Sequence, residues 1–459
     1  MANLRNLVDT VVLVMMENRS FDHMLGHLSL EGLKPVDGLK LPITQFTNVF
    51  KARPYHPFSM QDGMLPFDPP HDSPDVAVQL GWSSANQRFT MGGFVKAFAD
   101  KTGWSPGTLP DPLPMGYFPS NQVPVTSFLA QNFAVCDRWF SPIPTSTQPN
   151  RTLAFCGSTG IAESKTQFIP FKQIIFQWLE QAKVRWRVYH DGLSFFALYG
   201  FPAFPWVFGP RFRRFERLAA DVLNEPAASA PQVVIVEPSY ADAPHVGSDH
   251  ANDNHAPLAV GFGENFLRDV YHAVTASPEK WKKTVMVLYY DEHGGFWDHV
   301  PPPPVPYVVK GEDGRKTFKS MGPRIPAIVI SPLVERSAVF SDLLDHTSVL
   351  QFLAELFTPG TPYPGDVAER AAKGVRSLSS VLTRATPTHG HSCCAHTEDR
   401  GAHAGGHRPT GAGHHGVLVR ARGKRDARQP SRRDGHRIPR ALPVARGEGA
   451  RGVSVVYDR

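Results

Sequence analysis

The chain has 459 residues, 41% hydrophobic, 11% aromatic and 20% charged, a balance that supplies a sizeable core and excludes disorder throughout. Its formal charge of +6 is local: residues 384–459 carry 15 basic and 6 acidic side chains, leaving 33 basic and 36 acidic before them, about −3. A slightly acidic body excludes a polyanion-binding surface spread over the whole chain, and no apolar run approaches the roughly 20 residues of a transmembrane span.

The first apolar run, Val11–Met16, is shorter than the roughly 7–15 residues of a signal-peptide core, so a cytoplasmic location is expected, or export by a signal outside this sequence. Val233–Val236, Thr284–Tyr290 and Ile325–Ile330 are further unbroken, β-branched-rich runs, as strands buried on both faces are. Between them Gln173–Ala182, Glu264–Thr275 and Ser348–Phe357 place apolar residues at helical spacing, with Ser348 as the expected N-cap of the last. Alternating strands and helices predict an α/β fold: a mainly parallel sheet with helices on both faces, whose ligands bind beyond the carboxyl ends of the strands. Residues 53–85 and Pro301–Pro306 read as irregular. The stretch Phe195–Phe215 carries nine aromatic residues, read either as a loop packed on the core or as an apolar rim that meets lipid. Cys136 and Cys156 are either a disulfide or two buried thiols.

Three polar blocks stand where such a fold places chemistry. Glu17-Asn18 follows the first strand, and Asp291-Glu292 follows the third, ahead of a Gly294-Gly295 turn that permits positive φ and close backbone approach. Adjacent carboxylates repel unless a cation or proton lies between them, and four oxygens from Glu17, Asn18, Asp291 and Glu292 suit one hard divalent ion, Mg²⁺, Ca²⁺ or Mn²⁺, with Zn²⁺ as an alternative. The third block, Thr145-Ser146-Thr147-Gln148-Pro149-Asn150-Arg151, sets hydroxyls at the start of a helix. A hydroxyl there is either a cap or, beside a metal, a nucleophile, and the helix N-terminus with Arg151 favours an anion.

The strings ENRSFDH (17–23) and DEHGGFWDHV (291–300), in this order and with the threonine-containing block between them, resemble the bacterial phosphoesterase family of phospholipases C and acid phosphatases, relatives of alkaline phosphatase, over about residues 8–357. The resemblance implies an alkaline-phosphatase-like core, metal ligation by Glu17, Asn18, Asp291 and Glu292, and Thr147 as nucleophile. Ser146 inherits that role if the turn is shifted. It also implies that His71 and His255 contact the phosphoryl group, with Arg151, His190 and His346 as further substrate-binding positions. The reaction so implied is hydrolysis of a phosphoric ester through a phosphothreonine, on a phospholipid diester or, alternatively, a small phosphomonoester, with transient contact at a membrane surface.

Residues 1–383 are thus expected to form the catalytic domain and 384–459 a basic, His-, Arg- and Gly-rich tail without the aromatic content of a core. Arg420–Arg440 within it is basic enough to bind nucleic acid or an acidic surface, but lacks the interleaved aromatics that stack bases, which makes nucleic acid an unfavoured partner. His389, His391, Cys393, Cys394 and His396 match no standard zinc spacing.

Overall fold

The computed structural model describes residues 4–61, 67–107, 112–164, 174–199, 204–207, 209–243, 251–311 and 314–387. All four predicted strands form, in a sheet of eight: β1 (Thr10–Met16), β2 (Ala134–Cys136), β3 (Trp186–His190), β4 (Phe212–Arg214), β5 (Val233–Glu237), β6 (Thr284–Tyr290), β7 (Ala327–Ile330) and β8 (Val339–Phe340), in the order β4-β3-β5-β1-β6-β7-β2-β8. Every adjacent pair is parallel except those made by β7, which runs antiparallel to β6 and β2. Among the described residues the chain from β6 to β7 contains no helical crossover, only a proline-rich segment and the hairpin Tyr307–Gly311/Gly314–Phe318, so it returns in the opposite direction. The central β1, β5 and β6 are buried along essentially their whole length, as expected where both faces are covered.

Helices α1 (Phe21–Leu25), α2 (Ser73–Leu80), α3 (Thr147–Cys156), α4 (Val260–Thr275) and α5 (Thr347–Phe357) position the site. Helix α2 corrects the irregular reading of 53–85, because Pro74 at its first turn is a helix starter rather than a breaker. Helix α5 corrects the expected cap. His346 is the N-cap residue, the Asp345 carboxylate accepts the Thr347 N–H at 2.7 Å, and Ser348 Oγ accepts the Asp345 N–H at 3.1 Å. The predicted helix at 173–182 spans Ile175–Gln181, with Gln173 outside the described residues.

Within the aromatic stretch, Phe195, Phe196 and Phe212 are buried and Trp206 packs against the same core, where Phe176 stacks on Trp186 with ring centroids 4.2 Å apart. For these residues the packed reading holds and the lipid-facing rim does not. Cys136 and Cys156 are free, buried thiols. Arg384, the first residue of the predicted tail, still donates its backbone N–H to Leu333 O at 3.1 Å, while 388–459 and the His/Cys cluster lie outside the described residues. Among the described residues no helix is long and apolar enough to cross a membrane.

Candidate active site

The parallel register Met16↔Tyr290 brings the ends of β1 and β6 level, so Glu17-Asn18 and Asp291-Glu292 leave the sheet side by side. Asn18 adopts φ 58°, and Gly294 faces it at φ 61°, where an added Cβ would lie 2.0 Å from Asn18 O. The close approach anticipated from Gly294-Gly295 is therefore what lets the two loops meet. Asp291 Oδ1 accepts the Asn18 N–H at 3.1 Å and the Glu292 N–H at 2.8 Å, and Glu292 Oε2 accepts the Gly294 N–H at 2.8 Å.

Thr147 is the first residue of α3. Asn150 locks the turn before it, donating Nδ2 to the carbonyls of Thr145 (2.8 Å) and Ser146 (3.0 Å) and accepting the Ile143 N–H. Thr145 Oγ1 donates to Ala162 O and Ser146 Oγ accepts the Ser164 N–H, so two of the three hydroxyls are engaged by neighbouring backbone. Thr147 Oγ1 instead lies 3.2 Å from the Asn18 side chain. The inner atom of that amide is also 2.8 Å from Glu292 Oε1 and 3.1 Å from Asp291 Oδ1, while its outer atom is 2.5 Å from His255 Nε2.

This convergence tests whether a divalent ion fits. With the amide oxygen innermost, four oxygens from Asn18, Thr147, Asp291 and Glu292 face one another, an arrangement that a cation relieves. The 2.8, 3.1 and 3.2 Å that separate the Asn18 amide atom from Glu292, Asp291 and Thr147 are close to the roughly 3 Å edge of an octahedron with ~2.1 Å bonds, and the all-oxygen donor set is that of a hard ion. The residues fit the ion. Glu17 stands at the edge of this group, its carboxylate 3.0 Å from an Arg151 guanidinium nitrogen. Burial raises its pKa well above the ordinary carboxylate range, with Arg151 opposing the shift. For Glu292 burial acts in the same direction, but His71 and His293 outweigh it and hold the carboxyl low.

Three residues expected at the substrate are placed elsewhere: none of Arg151, His190 and His346 lines the cavity beside Thr147. Arg151 is buried beneath the site, its Nε on Asp291 Oδ2 at 3.0 Å, another nitrogen on Tyr240 Oη at 2.9 Å, and its plane over the Phe195 and Tyr240 rings. It lies against the carboxylates of Glu17 and Asp291. His346 is fully buried: Trp139 Nε1 donates to its Nδ1 at 3.2 Å, which leaves Nε2 to donate to Asp291 O at 2.7 Å. Burial pushes it down to about 4, so it is a neutral prop behind the Asp291 backbone. His190 ends β3, bonded through Nδ1 to Gly192 O, outside the cavity that Thr147 lines.

His71 and His255 do sit at the site, their rings perpendicular with centroids 6.0 Å apart. His71 Nδ1 donates to Pro69 O at 2.8 Å and so presents Nε2 toward Asn18 and Glu292. Burial alone would depress His71, but the Glu292 and Asp68 carboxylates lift it to about 9. Asp68 stands between the two rings, within 3.9 Å of His71 and 3.8 Å of His255, a neighbour that sequence reasoning passed over although it lies three residues before His71. The cavity itself, about 130 Å³, is lined by Glu17, His71, Thr147, Phe195, Tyr240 and Asp242 among others. Tyr240 and Asp242 were missed because no spacing ties them to the strand ends. A larger cavity of about 360 Å³ lies at the other end of α3, against Cys156, Tyr307 and Lys373, and none of the strand-end carboxylates lines it.

A hydroxyl on a helix N-terminus, facing oxygen donors at the carboxyl end of a mostly parallel sheet, defines a metal-dependent phosphoric ester hydrolase. The chain belongs to the phosphoesterase family, whose model matches residues 8–358. It is 30% identical to non-specific phospholipase C6 of Arabidopsis thaliana, over 76% of this chain and 68% of that one. It is 28% identical to phospholipase C A of Mycobacterium tuberculosis, over 83% and 78%, and 28% identical to the non-hemolytic phospholipase C of Burkholderia pseudomallei, over 76% and 55%. Among solved structures, a protein of the alkaline phosphatase superfamily from Vibrio parahaemolyticus aligns over 52% of this chain and 61% of that one at 12% identity, with a TM-score of 0.32.

Proposed function

We propose that the protein cleaves a phospholipid diester as a phospholipase C, through a phosphothreonine formed on Thr147, with one divalent ion at Asn18, Asp291 and Glu292 and with Glu17 completing the acidic wall. The observation that carries this reading is Thr147 Oγ1 at 3.2 Å from the Asn18 side chain, inside the ring of oxygens, in a chain whose relatives are named as phospholipases C. The bound ion supplies positive charge to a phosphoryl oxygen and makes the neighbouring hydroxyl more acidic.

Thr147 Oγ forms the new bond to phosphorus and releases its proton to water in the cavity. The bond from phosphorus to the departing alkoxide breaks in line, and that alkoxide takes a proton from His255 Nε2. His71, facing the same point through Nε2, donates to a nonbridging oxygen. Water then attacks phosphorus and gives a proton to His255, the bond from phosphorus to Thr147 Oγ breaks, and that oxygen takes back from water in the cavity the proton released in the first step. Phe195 and Tyr240 shield the cavity from solvent while Arg151 holds Asp291 in place. Transient contact with a lipid surface brings the substrate.

The full-length protein assayed on p-nitrophenyl phosphate, p-nitrophenylphosphorylcholine and phosphatidylcholine vesicles, before and after chelation, tests the proposal. Chelator-sensitive turnover that favours the diesters supports it. A monoester preference assigns an acid phosphatase instead, and inactivity on all three with tight, salt-sensitive DNA binding assigns function to the basic tail.

A further inference from the structure

The first halves of the two diagnostic strings supply the oxygens; their second halves, Ser20–His23 and Trp297–Val300, do something else. Arg324, fully buried just before β7, donates Nε to Asp298 Oδ1 at 2.9 Å and one terminal nitrogen to the carbonyls of Asp37 (2.7 Å) and Asp137 (2.8 Å), and its other terminal nitrogen lies 3.3 Å from Asp22 Oδ1. Asp22 Oδ2 accepts both the His299 backbone N–H (2.8 Å) and, at 2.6 Å, its ring nitrogen Nδ1. The Asp22 N–H returns to Asp298 Oδ2 at 3.2 Å, and Ser20 Oγ donates to Trp297 O at 2.7 Å. The guanidinium also lies 4.3 Å from the Phe21 ring centroid.

One cation therefore ties together the loop after β1, which carries Asn18, and the loop after β6, which carries Asp291 and Glu292. None of these clamp groups lines the cavity. Asp22, Asp298 and His299 are close enough to resemble an ion site of their own, but the guanidinium already supplies the charge that an ion would.

We propose that Arg324 is a positioning residue that, with Asp22, Asp298 and His299, fixes the separation of the two ligand-bearing loops and thereby sets the affinity of the divalent site. The inference rests on the metal site proposed above. Outer groups that orient ligands change metal affinity by roughly 10–100-fold when removed. A residue that only stabilises the fold lowers the melting temperature without changing ion binding to the folded protein.

The test is calorimetric titration of the chelated full-length protein with Mg²⁺, Mn²⁺, Ca²⁺ and Zn²⁺ in turn, beside circular dichroism and thermal melts. In Arg324→Lys and Asp298→Asn the affinity for whichever ion the unmodified protein binds falls at least about tenfold, with the larger part of kcat recovered at saturating ion. Asp221→Asn, which breaks a buried ion-pair group beside the opposite, amino-terminal ends of the strands, lowers the melting temperature and leaves ion affinity within twofold. Folded clamp variants whose ion affinity also stays within twofold overturn the proposal. Should neither clamp variant fold, Asp37→Asn decides: it removes the carboxylate 3.3 Å from His299 Nε2, together with an exposed pairing to Lys40, and an affinity fall of two- to fivefold supports the clamp while no change overturns it. An unmodified protein that binds none of the four ions overturns the metal reading itself, a separate outcome.

Discussion

Arg151 Nε donates to Asp291 Oδ2 at 3.0 Å while the opposite oxygen of the same carboxylate takes the Asn18 N–H at 3.1 Å. Each oxygen of Asp291 is thus held from a different side, and the guanidinium reaches Glu17 as well. Taking this cation away leaves two buried carboxylates facing each other. Arg151→Met is therefore expected to lose about 3–5 kcal/mol of stability in ion-free protein. Urea denaturation in chelator measures it, and a loss under about 1 kcal/mol contradicts the neutralising role.

Thr147→Ala is expected to lower kcat by at least about a thousandfold, since the nucleophile is gone while the oxygen ring remains. Thr147→Ser keeps a hydroxyl at the helix N-terminus and retains measurable turnover. Acid-quenched protein examined by intact mass spectrometry shows a phosphoryl adduct in the native chain and none in the alanine variant. Near-full activity in Thr147→Ala removes the phosphothreonine from the mechanism.

The strand ends were legible because two short-range signals coincide there, an apolar run and an abrupt polar block, and because parallel pairing leaves little freedom in where those blocks emerge. Thr147 was legible only to within its neighbours. What separates it from Thr145 and Ser146 is the pair of Asn150 bonds that orient the turn, a three-dimensional matter. The placement of Arg151, His190 and His346 was not legible for one physical reason: a charged or titratable residue near a motif looks available until burial and partners are known. Arg151 faces carboxylates, and His346 is bonded at both ring nitrogens. Likewise Asp22, Asp298 and His299 sit inside the diagnostic strings, and only the distant Arg324 reveals what they do.

Gly294 tests how tightly the loops must meet. A methyl group there collides with Asn18 O at 2.0 Å, on a backbone whose positive φ costs an L-residue roughly 1–2 kcal/mol. Gly294→Ala is expected to move Asn18 off the oxygen ring, lowering kcat about a hundredfold and the melting temperature by several degrees. Gly160→Ala, with no atom within 4 Å of the added carbon, stays within about 0.5 kcal/mol of the native chain. Equal behaviour of the two variants rules out the close approach as the reason for the glycine.

The clamp also has a pH signature. Burial would depress His299, but Asp22 and Asp37 lift it to about 10, against an ordinary value of about 6.5. Between those values the folded chain holds a proton that the unfolded chain has lost, so the contribution is fully present below about pH 6.5 and disappears as pH climbs toward 10. Asp22 behaves oppositely: burial raises its carboxyl, the His299 contacts outweigh that and lower it, and its contribution is lost only on acidification below the usual carboxylate range. Alkaline weakening from pH 7 to 10 therefore has a His299 share, on the order of 3 kcal/mol, beside that of His71, which is lifted to about 9. Urea midpoints at pH 6, 8 and 10 are expected to fall more steeply for the native chain than for His299→Gln, in which the titrating partner of Asp22 is absent. Parallel slopes for the two proteins mean that the imidazolium does not carry this part of the stability, and that Arg324 and the backbone bonds of Asp22 and His299 hold the two loops together without it.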